Sequence, residues 1–481
     1  MPMTRWVGFI GASNTSRSVN VNAERTVNLF PELDALGTAK EREIAALVST
    51  PGLLKLSTLG TGPVRGLYRA STGNVFAVSG TGLYEVTVPT APVLLATGTT
   101  GSGRVGMADN GVHLVLVDGA KGYALNLATG VVVEITDPEF PKGANTVQFL
   151  DQYLIVNEPG TGRFWFSAIS DATSWNGLDF GSAEGSPDVL LTLLVDHREL
   201  WLFGDRSVEV FFNSGDADNP FQRMQGAFLE EGAIAGTVQK LDNTVFFVSI
   251  NEKGEGIVKR AQGYVPQRIS THAVEFAISG YANISSATSY TYQDRGHSFY
   301  VLNFPSADTT WAFDVASGLW HERTYTPVDG SPMQRHRAEN HIFDGTRHLV
   351  GDYVNGNLYQ FDDSTFTDDG APISRLRRAL HISNVGARIS HHAFQLDLEA
   401  GVGLASGNGS DPQAMLRWSN DGGHSWSDEH WASMGKQGEY TRRAIWRRLG
   451  QSRDRVYEVK CTEPTKQIWI SAYLETEAAA H

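Results

Sequence analysis

Three groups of residues have types and spacings that could carry chemistry. The most pronounced is SNDGGHSW at 419–426, which fits Ser-x-Asp-x-Gly-x-Ser/Thr-Trp, the Asp-box hairpin pattern found in glycan-cleaving enzymes and in many non-enzymes. Glycoside cleavage needs two carboxylates held about 5–10 Å apart. The chain carries one such box rather than one per repeat, so Ser419, Asp421, Gly423 and Trp426 are expected to build a turn. Asp421 would accept hydrogen bonds from turn amides, Gly422 and Gly423 would permit positive φ, and Trp426 would cover the hairpin base. The second group is His336, His341 and His348, which could converge on a metal but are expected in a solvated loop; the adjacent His391 and His392 would face opposite sides of a strand. The third is Asp216 and Asp218 in SGDADNPF, which lack the glycine and terminal glutamate of a calcium loop and read as a connecting turn.

Other signatures fail on context. GSGRVG at 101–106 spells GxGxxG but runs into MADNGVHLVLV, a turn and strand without the helix a pyrophosphate needs. No GxxxxGK[ST], HExxH, CxxC or GxSxG is present. The sequence therefore predicts no catalytic residue, no cofactor-binding residue and no metal ligand, and no enzyme.

The elements that would position these residues are strands. From about residue 60 to 365 a short apolar run, a Gly- or Asn-containing turn and a second run with an aromatic return repeatedly, as in NVFAVSGTGLYEVT (74–87) and TTWAFDVASGLWHERT (309–324). In VHLVLVDGAKGYALNLATGVVVEI (112–135) the alternation marks three strands and two tight turns. About seven such modules, with six possible, recur at roughly 40-residue spacing, the period of propeller blades. The reading is all-β: a β-propeller over 49–370, closed by a clasp strand in STPGLLKLSTLGTG (49–62), and a C-terminal β-sandwich-like domain over 371–481 that contains the Asp box. Residues 1–48 are polar and read as an extended N-terminal arm that orders on a partner, with Val27, Leu29 and Phe30 as its anchors. On that reading, deleting residues 1–30 leaves the fold intact.

Composition narrows the function classes. The single Cys461 precludes an intrachain disulfide, and no apolar run approaches the roughly 20 residues of a membrane helix or forms a signal peptide. The net charge of -14 opposes wrapping nucleic acid. That charge is uneven: residues 371–481 hold 14 Lys+Arg against 12 Asp+Glu, and residues 1–370 hold 25 against 41. Arg442, Arg443, Arg447, Arg448, Arg453 and Arg455 form a basic cluster that suits a solvated face or an acidic neighbouring subunit better than DNA.

The stretches SRSVNVNAERTVNLFPE, ALVSTPGL, GSGRVGMADNG, ELWLFGDRSVEVFFNSGDADNPF and EGAIAG, in that order, and LRWSNDGGHSWSDEHWASMGKQGEY with WRRLGQSRDRVYEV near the end, resemble the packaged-DNA stabilisation proteins of short-tailed phages, also called tail accessory factors or tail hubs. The resemblance covers nearly the whole chain, although none of its motifs is catalytic. It implies a virion protein made in the host cytoplasm: a homo-hexamer in the head-tail connector that binds portal adaptor proteins, closes the neck on packaged DNA, and carries the tail needle and tailspikes or tail fibres. DNA would at most pass through the lumen, where an acidic wall would keep it from sticking. No membrane contact is implied. The alternative is a glycan-binding or glycan-cleaving, sialidase-like propeller, which would need Arg, Glu and Trp converging at one mouth.

Overall fold

A computed structural model describes residues 3–6, 8–33, 45–217, 219–251 and 253–478. Asp218 and the 34–44 part of the expected arm lie outside the described residues. Short β-rich runs punctuated by turn residues fold into four-stranded antiparallel meanders, as the period-2 patterning dictates. Five of them are self-contained sheets, beginning at Val64–Arg69, Gly106–Asp109, Val147–Leu150, Leu190–Asp196 and Gln239–Leu241. A sixth runs Thr288–Asp294, His297–Phe304, Thr309–Asp314, Leu319–Tyr325. The closing one takes Ala338–Phe343, His348–Asp352 and Asn357–Asp362 from the end of the repeat and its last strand, Gly52–Thr58, from before the first meander. That clasp lies inside the 49–62 segment expected from sequence, paired with Asn357–Asp362 from Asn357↔Thr58 to Asp362↔Gly52. First strands of most successive meanders pack beside one another, and Ala338–Phe343 returns to Val64–Arg69 to close the propeller.

The second meander shows why a blade cannot stand alone. In its strand His113–Val117, Leu114 and Leu116 enter one core cluster while Val115 and Val117 enter another, so alternation here means burial on both faces. Its turn is built as the sequence suggests: Asp118 accepts from the amides of Ala120 at 2.9 Å and Lys121 at 2.8 Å, and Gly119 takes φ +83°. Replacing Leu116, 1% exposed, by alanine would cost about 2–5 kcal/mol.

The C-terminal domain is a sandwich of two sheets. One contains Leu29–Leu33, Ala45–Ser49, Ile468–Ala478, Ile389–Leu398 and Ala444–Arg447; the other contains Ala23–Val27, Arg375–Arg378, Asp454–Cys461, Gln413–Ser419 and His430–Ser433. The N-terminal residues are thus part of the sandwich and not a free arm. Trp6, Phe9, Leu29 and Leu47 share its core with Phe394, Trp446, Tyr457 and Trp469. Ala23–Val27 pairs antiparallel with Arg375–Arg378 and, through Val27↔Glu322, parallel with the outer strand of the sixth meander. One continuous sheet therefore runs from propeller to sandwich.

This corrects the assignment of Val27, Leu29 and Phe30 to a partner. Val27 and Leu29 are 0% exposed, and Phe30 packs edge-on against Phe299 of the sixth meander. Side chains already removed from water by their own chain have no apolar area left to offer a neighbour. Residues 1–30 are integral to the fold, and the expected tolerance of their deletion is reversed.

Candidate functional site: the propeller-sandwich seam and the exposed sandwich rim

Where the N-terminal residues, the propeller and the sandwich meet, the strand Arg375–Arg378 places arginines on both faces of the shared sheet. Arg377 is fully buried and ties down the N-terminal loop: it donates to the carbonyls of Phe9 at 2.5 Å, Ala12 at 2.9 Å and Gly8 at 3.2 Å, and to Glu24 Oε1 at 2.5 Å. Burial pulls the Arg377 pKa below its ordinary value against the opposing pull of Glu24. Arg375, also fully buried, donates to Ser49 Oγ at 2.7 Å and to the Glu463 carbonyl at 3.0 Å. On the other face Glu458 accepts from Arg378 at 2.8 Å and Arg417 at 2.6 Å.

A second tie crosses to the propeller. Arg25 donates to both oxygens of Glu322, at 3.0 and 2.5 Å, and Ser13 Oγ donates to the same carboxylate at 3.0 Å. Burial would raise Glu322, but Arg25, then Ser13 and Arg378, hold it below the usual carboxylate range. Asn28, at φ +52°, marks where the chain leaves one sheet for the other; its amide donates to the carbonyls of Thr324 at 3.1 Å and Ser374 at 2.9 Å. A positive φ is tolerated best by Asn among side-chain-bearing residues, and here both neighbouring strands are bound by one side chain. The arrangement does mechanical work: it couples two domains into one body. Sequence reasoning missed these residues, and the only local signal was the unusual apposition of arginines in RLRR at 375–378.

The Asp box is the turn the sequence predicted. Asp421 accepts from the amides of His424 at 3.0 Å and Ser425 at 2.9 Å and from the hydroxyls of Ser419 at 2.6 Å and Ser425 at 2.5 Å, which hold its carboxyl well below the usual range. Gly423 takes φ +104° and donates to Ser419 Oγ at 2.7 Å; the Trp426 indole donates to the Gly423 carbonyl at 3.2 Å. Arg378 and Arg417 lie over the Trp426 ring at 4.5 and 4.9 Å, so the box buttresses the seam.

The basic cluster divides. Arg455 is buried, donating to Asn420 Oδ1 at 2.9 Å and the Leu449 carbonyl at 2.6 Å. Arg442, Arg443, Arg447 and Arg448 are exposed, and none forms an ion pair among the described residues. The histidines are not in a solvated loop: His336 is buried, accepting from the Ala338 amide at 3.3 Å, while half-buried His341 and His348 share a hydrogen bond of 3.0 Å. The latter two line a cavity of about 590 Å³ with Lys240, Asp242, Asn243 and Tyr292. Among the described residues no group of three His, Cys, Asp or Glu side chains is placed to hold a metal. His391 is buried and His392 exposed, the opposite facing that strand geometry requires.

Two family models match, described as the β-propeller of bacteriophage P22 Gp10 over residues 10–366 and the β-sandwich of the same protein over 375–477. The chain belongs to the phage Gp10 stabilisation family. The two matched spans meet between residues 366 and 375, where the closing meander gives way to the arginine strand. No curated protein matches. Two solved structures are distant likenesses. The extracellular domain of the hybrid two component system BT4673 of B. thetaiotaomicron aligns at 10% identity and TM-score 0.46 over 65% of this chain, which spans 40% of that one. The Pan2 WD40 domain of Neurospora crassa aligns at 9% identity and TM-score 0.38, covering 62% of this chain and 89% of that one.

Proposed function

We propose that this protein is the tail hub of a short-tailed phage particle and acts by assembly rather than catalysis. As a homo-hexamer it binds below the portal and its adaptor proteins, closes the neck on packaged DNA, and presents the platform for tail needle and tailspikes. The observation that carries the reading is family membership spanning both domains. The continuous sheet from propeller to sandwich supports it, because a plug under the pressure of packaged DNA must transmit load without hinging. The acidic balance of residues 1–370 supports a lumen from which DNA is repelled. The single Asp box is spent on a hairpin and gives the glycan reading no support. The test is a phage carrying a stop codon early in this gene: its heads should fill with DNA, then lose it to added nuclease, and wild-type protein supplied in trans should restore protection. Nuclease-resistant, infectious particles made without the protein would refute the proposal.

A further inference from the structure

We propose that the open rim of the sandwich is the surface through which one copy of this chain grips the acidic propeller of the next; this rests on the ring assembly proposed above. Each sheet of the sandwich ends at one side in a short strand with a single partner. His430–Ser433 pairs only with Gln413–Ser419, and Ala444–Arg447 only with Ile389–Leu398. The two edges lie side by side, since the Trp446 indole donates to the His430 carbonyl at 2.7 Å. The chain between them, residues 434–443, crosses from sheet to sheet along this rim.

Its side chains are unusual for a surface that faces only water. Trp431 is 57% and Tyr440 76% exposed, beside Arg442, Arg443, Arg447 and Arg448. Elsewhere in the sandwich, Arg377, Arg378 and Arg417 have carboxylate partners and Arg375, Arg453 and Arg455 have carbonyls; the four rim arginines, like the isolated exposed Arg388, have neither among the described residues, and only at the rim are such arginines clustered. Charge alone suffices to guard a free sheet edge against aggregation. Exposed Trp and Tyr added to Arg are the residue types that dominate binding energy at interfaces.

The occupant follows from charge. A second copy offers the complement, because residues 1–370 carry 41 Asp+Glu against 25 Lys+Arg. Exposed Glu184, Asp205 and Glu230 stand around the meander that begins at Leu190–Asp196; Asp205 has Arg206 at 4.0 Å, while Glu184 and Glu230 have no ion pair among the described residues. Duplex DNA would also attract arginines, but a chain of net charge -14 repels it at long range, whereas the acidic face of a second copy is the opposite sign to the rim. A contact between two different patches is heterologous, the kind that generates a ring when its rotation closes.

The experiment is charge reversal in particles assembled in infected cells. One variant carries Arg442→Glu, Arg443→Glu, Arg447→Glu and Arg448→Glu; a second carries Glu184→Lys, Asp205→Lys and Glu230→Lys; a third combines them. Each set alone should lower incorporation into particles by roughly tenfold or more, and the combination should recover it, with circular dichroism and Tm of the purified chains unchanged. Incorporation of the arginine variant at wild-type level, or a combination no better than either set, would overturn the proposal. So would arginine-dependent binding to a short DNA duplex in a gel shift, which would give the rim to DNA. Absence of the wild-type chain from particles would instead sink the ring reading itself.

Discussion

Replacing Arg377 by methionine isolates the work done at the seam. Methionine keeps the apolar stem of the side chain but removes the guanidinium and with it every donor. The carbonyls of Gly8, Phe9 and Ala12 then lose their partner, and Glu24, 9% exposed, keeps only the Asn22 amide at 3.0 Å. Breaking a buried pair by removing one member costs about 3–5 kcal/mol, because the remaining charge stays out of water. The loss should appear as local opening of the N-terminal segment, since Ala23–Val27 is held between two domains while the outer propeller meanders do not touch it. At about 1.4 kcal/mol per tenfold, backbone amides of residues 8–27 should exchange hydrogen roughly 10²- to 10³-fold faster, as read by mass spectrometry on the full chain. Amides of His113–Val117 in the second meander should be unchanged. Adding Glu24→Gln should recover part of the loss. Acceleration below tenfold, or equal acceleration in the second meander, would refute the seam as the coupling element.

Further expectations follow from burial. Burial pushes His336 and His391 down to about 3, and Asp368 up to about 7. Below the ordinary histidine value of 6.5 the unfolded chain binds protons that the folded histidines refuse, so each should cost about 1.4 kcal/mol per pH unit as pH falls toward 3; Asp368 has the opposite sign between about 7 and 3.8. Tm should therefore fall gently from pH 6.5 to 4 and steeply below, and His336→Asn with His391→Asn should make the fall shallower, with His321 and His341 still contributing; a flat wild-type profile would contradict this. Deleting residues 1–30 should abolish the cooperative unfolding of the sandwich, measured by calorimetry, because Trp6, Phe9, Val27 and Leu29 go with it. Asp421→Ala should speed exchange of the His424 and Ser425 amides without changing the fold; loss of the sandwich would show the box to be more than a turn. Cys461, buried with its thiol pushed up to about 11, should resist maleimide in the native chain and react on denaturation; rapid native labelling would contradict the burial.

The propeller was legible because its information is local. Alternation through Val112–Ile135 and the turn residues between its strands specify a meander whatever lies beyond it, and the clasp at Gly52–Thr58 follows from the need to close the circle. The N-terminal segment was not legible because its partners are distant: Val27 meets Glu322 and Leu376, and Arg377 satisfies backbone carbonyls at residues 8–12. A polar stretch whose donors and acceptors are answered from some 350 residues away reads, by composition, like an unattached arm. His336 read as solvated for a related reason: burial of a neutral imidazole leaves no periodic signature, only the packing of Phe361 against its ring. The arginine cluster appeared as one feature in the sequence, and only the fold separates interior Arg455 from the exposed Arg442, Arg443, Arg447, Arg448 and Arg453.

The most direct test of the central claim is a cryo-electron microscopy reconstruction of the neck of purified particles. The account predicts a closed ring of this chain below the portal, with propeller and sandwich in the fixed relation set by the shared sheet. A neck without this chain, or one in which the two domains swing independently, would contradict it.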